Sequence, residues 1–169
     1  MEERFLFRAA EAHEVQTVFD IIMDRVAWMD TVGIQQWNTT KYGERYPLDY
    51  YEQKRQMDEL FLLEDTQTGE ILCVGALFHE DERWPEQANA RYLHHFASVV
   101  GKKGIGSTFL ELAEQYAADR GIEYFRLDSA VGNTVLENYY ASRGYVEAGL
   151  CDDGLYHGVL REKKLKKEL

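Results

Sequence analysis

Apolar positions recur along the chain with two different periods, and the changes between them divide it into elements. Residues 4–8 (RFLFR) read as a first strand. From Ala10 or Glu11 onward, Val15, Val18, Phe19, Ile22, Val26 and Met29 recur at three- and four-residue intervals, which predicts a helix. Gly33 suits its left-handed end. Residues 33–47 (GIQQWNTTKYGERYP) follow neither period and read as a loop, with a short second helix over 48–57. Residues 60–64 and 71–78 flank the turn-like Thr66-Gln67-Thr68-Gly69, predicting an antiparallel hairpin. After an exposed loop over 80–86, residues 91–100 (RYLHHFASVV) form the next strand, expected antiparallel to 71–78.

At Gly101 the pattern switches to a glycine-rich turn and then a helix carrying Ile105, Phe109, Leu112, Ala113, Tyr116 and Ala117 on one face, ending near Gly121. Residues 124–127 (YFRL) make a short strand that should run parallel to 91–100, a β-α-β crossover. A further helix over 133–142 stops at Gly144. Residues 145–148 and 156–161 close the sheet, and 163–169 form a charged tail. This order predicts one α/β domain over 1–169 with a mixed, mostly antiparallel sheet flanked by helices.

At 169 residues the chain suits a single domain, and 45% hydrophobic residues with only two prolines leave little room for long linkers. Thirty acidic against nineteen basic residues, a net charge of −11, argue against nucleic-acid binding and would attract a cationic small substrate. Cys73 and Cys151 show no metal-ligand spacing and are expected as free thiols, so no metal is expected. No apolar signal core opens the chain and no run of eighteen apolar residues occurs, so the expectation is a cytoplasmic protein that does not engage a membrane.

The turn at 101–106 is where the chemistry is expected, the other reading being a turn that merely needs glycine. Gly101, Gly104 and Gly106 permit positive φ and close ligand approach, and the following helix leaves its first amides without intrahelical partners, an anion site suited to phosphate. Lys102 and Lys103 add charge, and Ser107 and Thr108 add hydroxyl donors. Neither a Walker A loop nor a dinucleotide fingerprint fits: Gly106 is followed by Ser107 where lysine is required, and Phe109 stands where a third glycine belongs.

Gly104-Ile105-Gly106 with the helix after it resembles the Gln/Arg-x-x-Gly-x-Gly/Ala signature of the GNAT superfamily of acyl-CoA-dependent N-acetyltransferases, with Gly101 in place of Gln or Arg. A second segment, Asn133 to Tyr145 (NTVLENYYASRGY), resembles that family's Asn-x6-Tyr-x3-Gly-Phe/Tyr pattern. The resemblance implies a sheet splayed between two central parallel strands, whose gap takes the pantetheine arm of acetyl-CoA as cosubstrate. It implies cofactor contacts from Ser98, Val99 and Val100, a pyrophosphate seat from Lys102, Lys103, Gly104, Ile105, Gly106 and Ser107, an arm contact from Asn133, and Tyr140 as general acid. The main-chain N–H near Ser98 or Val99 would polarise the thioester carbonyl.

His94 and His95 lie on the strand bordering that gap, one expected on each face, and an imidazole pKa of about 6.5 suits accepting a proton. Glu80, Asp81 and Asp128 compete for that role. Trp28, Trp37, Tyr42 and Tyr46 either wall a pocket or cap the core. Residues 33–37 also resemble the family's loop bordering the acceptor site, which makes Trp28, Gln36 and Trp37 candidates for binding a small-molecule or peptide amine. The acceptor stays open among polyamine, aminoglycoside, amino acid and protein N-terminus. A homodimer and a non-catalytic acyl-CoA-binding module are the other readings left open.

Overall fold

A computed structural model describes residues 4–34, 37–154 and 156–166. It contains a seven-stranded sheet in the order β1-β2-β3-β4-β5-β7-β6, with helices α1 to α5. The strands are β1 (Phe5–Ala9), β2 (Leu60–Asp65), β3 (Ile71–Phe78), β4 (Ala90–Ser98), β5 (Tyr124–Ala130), β6 (Val146–Asp153) and β7 (Tyr156–Lys164). The helices are α1 (Val15–Val32), α2 (Tyr42–Arg45), α3 (Leu48–Gln56), α4 (Ile105–Asp119) and α5 (Thr134–Ser142). The chain divides into two compact units: residues 1–77 with 94–113, and residues 78–93 with 114–169.

In the first unit, β2 pairs antiparallel with both β1 and β3. The hairpin closes where Gly69 takes φ 77°, and the Asp65 carboxylate accepts the Gln67 N–H at 2.9 Å. α1 begins four residues later than the periodicity predicts, because residues 12–14 form a 3-10 turn whose geometry the Glu14 carboxylate fixes. That carboxylate accepts the Glu11 N–H and both terminal nitrogens of Arg8. The helix ends, as expected, on Gly33 in the left-handed region, φ 74°. The core gathers Val18, Ile22, Tyr51, Leu60, Leu62 and Val74, all buried, with Trp37, Tyr46 and Tyr50 partly buried against it.

In the second unit, β5 pairs antiparallel with β7 along its whole length, from Tyr124↔Lys164 to Ala130↔Gly158. This pairing carries β5 past the predicted end at residue 127. It also draws Lys163 and Lys164, expected in the tail, into β7, where the Lys163 ammonium donates to Glu114 at 2.6 Å. β6 likewise runs to Asp153, its register shifting between Glu147 and Gly149. Arg126 organises the small core here: it donates to Glu162 at 2.7 Å and to the Tyr92 hydroxyl at 2.9 Å, and lies 4.2 Å from the Trp84 ring. The parallel register of β4 with β5 comprises Ala90↔Tyr124, Arg91↔Phe125 and Tyr92↔Arg126, while β4 itself runs on to Ser98 and β5 to Ala130.

Candidate active site

Two of the three turn glycines take the left-handed conformation, while Gly106 lies within α4. Gly101 and Gly104 take φ 93° and 79°, and residues 101–104 are exposed. The Thr108 N–H bonds to the Gly104 carbonyl at 3.2 Å, so the amides before it lie at the helix start, ahead of the first intrahelical bond. Gly106 packs on Phe96: a Cβ there would stand 3.4 Å from the far edge of that ring, which itself stacks on Phe109 at 5.3 Å. Lys102 pairs with Glu70 at 2.9 Å, and Lys103 is exposed. An exposed turn of left-handed glycines at the start of a 15-residue helix fits a pyrophosphate by backbone contacts alone.

The end of β4 is pinned from both sides. The Val99 N–H donates to the Leu72 carbonyl at 2.9 Å, which commits one of the two amides expected to polarise a thioester. Because successive amides of a strand point to opposite edges, the Phe96 and Ser98 N–H groups are directed away from β3. From α1, Arg25 donates to the Ser98 carbonyl at 2.9 Å, to the Ser98 hydroxyl at 3.1 Å and to the Val99 carbonyl at 3.3 Å. Trp28, one turn on, lies under that guanidinium at 4.5 Å. Val100 is exposed beyond the strand.

His95 stands in the middle of β4 with φ 55°, a left-handed conformation that a non-glycine residue rarely adopts inside a strand. Tyrosines hold the imidazole: the Tyr42 hydroxyl is hydrogen-bonded to Nδ1 and the Tyr50 hydroxyl to Nε2, the latter at 2.8 Å. The rings of Tyr46 and Tyr51 meet it edge-on at 4.6 and 5.5 Å. Trp37 stacks on Tyr42 at 4.5 Å, so it belongs to this aromatic group and packs on the core. His94 is half-buried beside His95, ring centroids 6.0 Å apart. Gln36 lies outside the described residues.

In the second unit, Asn133 caps α5, its side-chain oxygen accepting the Leu136 N–H at 3.1 Å. Two turns later Tyr140 is buried against Tyr139 and Tyr145. Burial pushes its phenol well above the ordinary tyrosine range. Tyr145 donates to Glu114 at 2.7 Å. Asp128 is committed, accepting from the Tyr156 hydroxyl at 2.6 Å and from Arg83 at 3.4 Å. The buried Asp81 carboxylate accepts the Arg83 N–H at 3.0 Å, and Glu80 is exposed. Cys73 and Cys151 are free.

The profile of the acetyltransferase (GNAT) family matches residues 28–145, the stretch that carries both the glycine turn and Tyr140. The chain belongs to the GNAT family of acetyltransferases. GNAT structures share its fold. An acetyltransferase of the GNAT family from Listeria monocytogenes 4b F2365 superposes with a TM-score of 0.78 at 22% identity, with 95% of each chain covered. The PaiA N-acetyltransferase of Thermoplasma acidophilum, solved in complex with coenzyme A, gives 0.70 at 20% identity, covering 96% of this chain and 99% of that one. The spermidine N-acetyltransferase of Vibrio cholerae, in complex with CoA and spermine, gives 0.69 at 16% identity and 97% coverage of both. No curated protein matches the chain in sequence. GNAT membership makes acetyl-CoA the acetyl donor. Among the described residues no helix is long and apolar enough to cross a membrane.

Sequence reasoning singled out the turn, Asn133 and Tyr140 as candidates but not Arg25, Tyr50 or Tyr51, which the structure places against Ser98 and His95. The four-residue spacing of Tyr42, Tyr46 and Tyr50 was the available signal, obscured by the glycine and proline between them.

Proposed function

We propose that this GNAT protein transfers the acetyl group of acetyl-CoA directly to the primary amine of a small molecule or peptide. The turn amides and Lys103 take the pyrophosphate, and the open edge of β4 pairs with the amide-rich arm. The Ser98 N–H, rather than that of Val99, stabilises the oxygen of the attacked carbonyl. The amine attacks as its neutral form, the carbon–nitrogen bond forms, and the carbon–sulfur bond breaks. The departing sulfur takes a proton from Tyr140, and the phenol is restored by the surplus proton that the nitrogen loses once it is bonded to the acetyl carbon.

What supports this reading is the GNAT match over residues 28–145, together with the exposed glycine turn ahead of α4 and a Tyr140 phenol that burial holds protonated across the neutral range. Asn133 keeps its amide nitrogen for the cofactor while its oxygen caps α5. The net charge of −11 favours a cationic acceptor, in line with the polyamine-bound neighbour.

Incubating the protein with acetyl-CoA and a panel of amines, polyamines included, and following free thiol tests the reading. Amine-dependent thiol release is expected. CoA binding without thiol release from any amine would instead make this a non-catalytic acyl-CoA-binding module.

A further inference from the structure

Two successive carbonyls at the end of β4 converge on one nitrogen. Arg25 Nη2 lies 2.9 Å from the Ser98 oxygen and 3.3 Å from the Val99 oxygen. In an extended strand successive carbonyls point to opposite edges, so the chain leaves the strand conformation at Val99, and it does so around the guanidinium. The Ser98–Val99 peptide is held at both ends: its carbonyl accepts from Arg25, and its N–H donates to Leu72 on β3 at 2.9 Å. Arg25 Nε adds a second bond to the Ser98 oxygen at 3.3 Å, and Nη2 a bond to the Ser98 hydroxyl at 3.1 Å. Trp28, its ring centre 4.5 Å from the guanidinium carbon, braces the group from one turn further along α1.

In a chain with thirty acidic residues this guanidinium is directed at neutral oxygens. Burial pulls Arg25 below the ordinary arginine range, whereas hydrogen bonds to Glu14 and Glu64 raise Arg8. Holding a partly desolvated cation on main-chain oxygens is less favourable than facing it with a carboxylate. What the arrangement secures is backbone geometry. Two residues beyond Val99 the glycine turn begins, with Gly101 at φ 93° and residues 101–104 exposed. The Ser98 N–H thus precedes the Arg25 contact along the chain, and the turn amides ahead of α4 follow it.

We propose that Arg25 is a positioning residue that fixes the spacing between the open edge of β4 and the glycine turn, so that the two halves of one acetyl-CoA molecule engage together. This rests on the reading above that the edge takes the pantetheine arm and the turn the pyrophosphate, and it adds what sets the distance between them. A ligand with two linked halves gains from both contacts only where the span of its linkage matches the span of the sites. Val100 is exposed and Gly101 lacks a side chain, so the connecting residues add little restraint of their own. Without Arg25 the turn shifts against the edge while each half-site stays intact.

The test measures dissociation constants of the unaltered protein and of Arg25→Met for CoA by calorimetry, and for pantetheine alone and ADP alone by ligand-observed NMR. CoA binding should weaken about tenfold or more in Arg25→Met, while each fragment stays within about twofold. Arg25→Lys, which keeps a cation but offers a single nitrogen, should recover part of the loss. A general loosening of the fold would weaken all three ligands together, and a direct contact of Arg25 with one half would weaken that fragment as much as CoA. Either pattern overturns the proposal, as does unaltered CoA affinity. Should circular dichroism show that Arg25→Met does not fold, Arg25→Lys carries the same comparison: weaker CoA binding with unchanged fragments is expected, and any other pattern overturns the proposal. Failure of the unaltered protein to bind CoA would instead overturn the assignment of edge and turn to the cofactor.

Discussion

The Arg25 guanidinium holds both the carbonyl and the hydroxyl of Ser98, so the last strand residue before the glycine turn is tied to α1. Arg25→Met removes these charge-assisted bonds while keeping most of the apolar stem. Losing hydrogen bonds to a charged partner costs roughly 1.5–3 kcal/mol, and the proposed cofactor edge of β4 carries the loss. The KM for acetyl-CoA should rise about tenfold or more, with kcat changed less. An unaltered KM would mean that β4 keeps its position without Arg25.

Tyr140→Phe keeps the ring packed between Tyr139 and Tyr145 and removes only the hydroxyl. If that group protonates the departing sulfur, kcat should fall by about 100-fold, while the Kd for CoA by calorimetry should stay within about twofold. An unchanged rate at saturating acceptor removes Tyr140 from the mechanism.

Tyr51 is fully buried and among the described residues its hydroxyl has no partner, while its ring packs against Phe19, Tyr50 and His95. Burying an unpaired hydroxyl is costly, so Tyr51→Phe should stabilise the protein by about 1 kcal/mol, raising Tm by roughly 2–4 °C. Thermal unfolding measures this. A lower Tm would mean that the hydroxyl has a stabilising partner in solution.

Burial pushes the phenols of Tyr51, Tyr140, Tyr145 and Tyr156 above their ordinary range. An unfolded tyrosine ionises near pH 10, so above that pH the unfolded chain loses protons that the folded chain retains. The stabilising contribution of these groups is complete below about pH 10 and is lost as pH rises toward the folded values. Urea midpoints should therefore hold between pH 8 and 9 as far as these phenols are concerned, and drop at pH 10.5 and above. Wild type and the Tyr145→Phe variant should differ in the steepness of that drop. Equal steepness would show that Tyr145 ionises as easily folded as unfolded.

Most of the fold was legible because its elements carry one-sided patterns. α1 and α4 have apolar stripes, β2 and β3 are continuous apolar runs, and Gly33, Gly69 and Gly104 sit at left-handed positions where glycine has the least competition. The sheet's far edge was read short because β6 is mostly exposed on both faces and ends in Asp152 and Asp153, so neither period survives there. The placement of Asn133 and Tyr140 was legible because the first caps and the second lies on a single helix. The site was opaque where contacts join distant segments. Nothing about Arg25 announces that it will reach Ser98, and a left-handed histidine in a strand has no signature in residue type.

The span from Tyr42 to Tyr50 is anchored at both ends on the two nitrogens of a single ring. Surface connections usually absorb insertions and deletions without harm, but here one residue more or fewer would pull a hydroxyl off its nitrogen. Variation in this stretch is confined to exchanging side chains at constant length. Changing the length of the segment between Tyr42 and Tyr50 should therefore lower the thermal midpoint, whereas replacing exposed residues within it at constant length should leave it nearly unchanged.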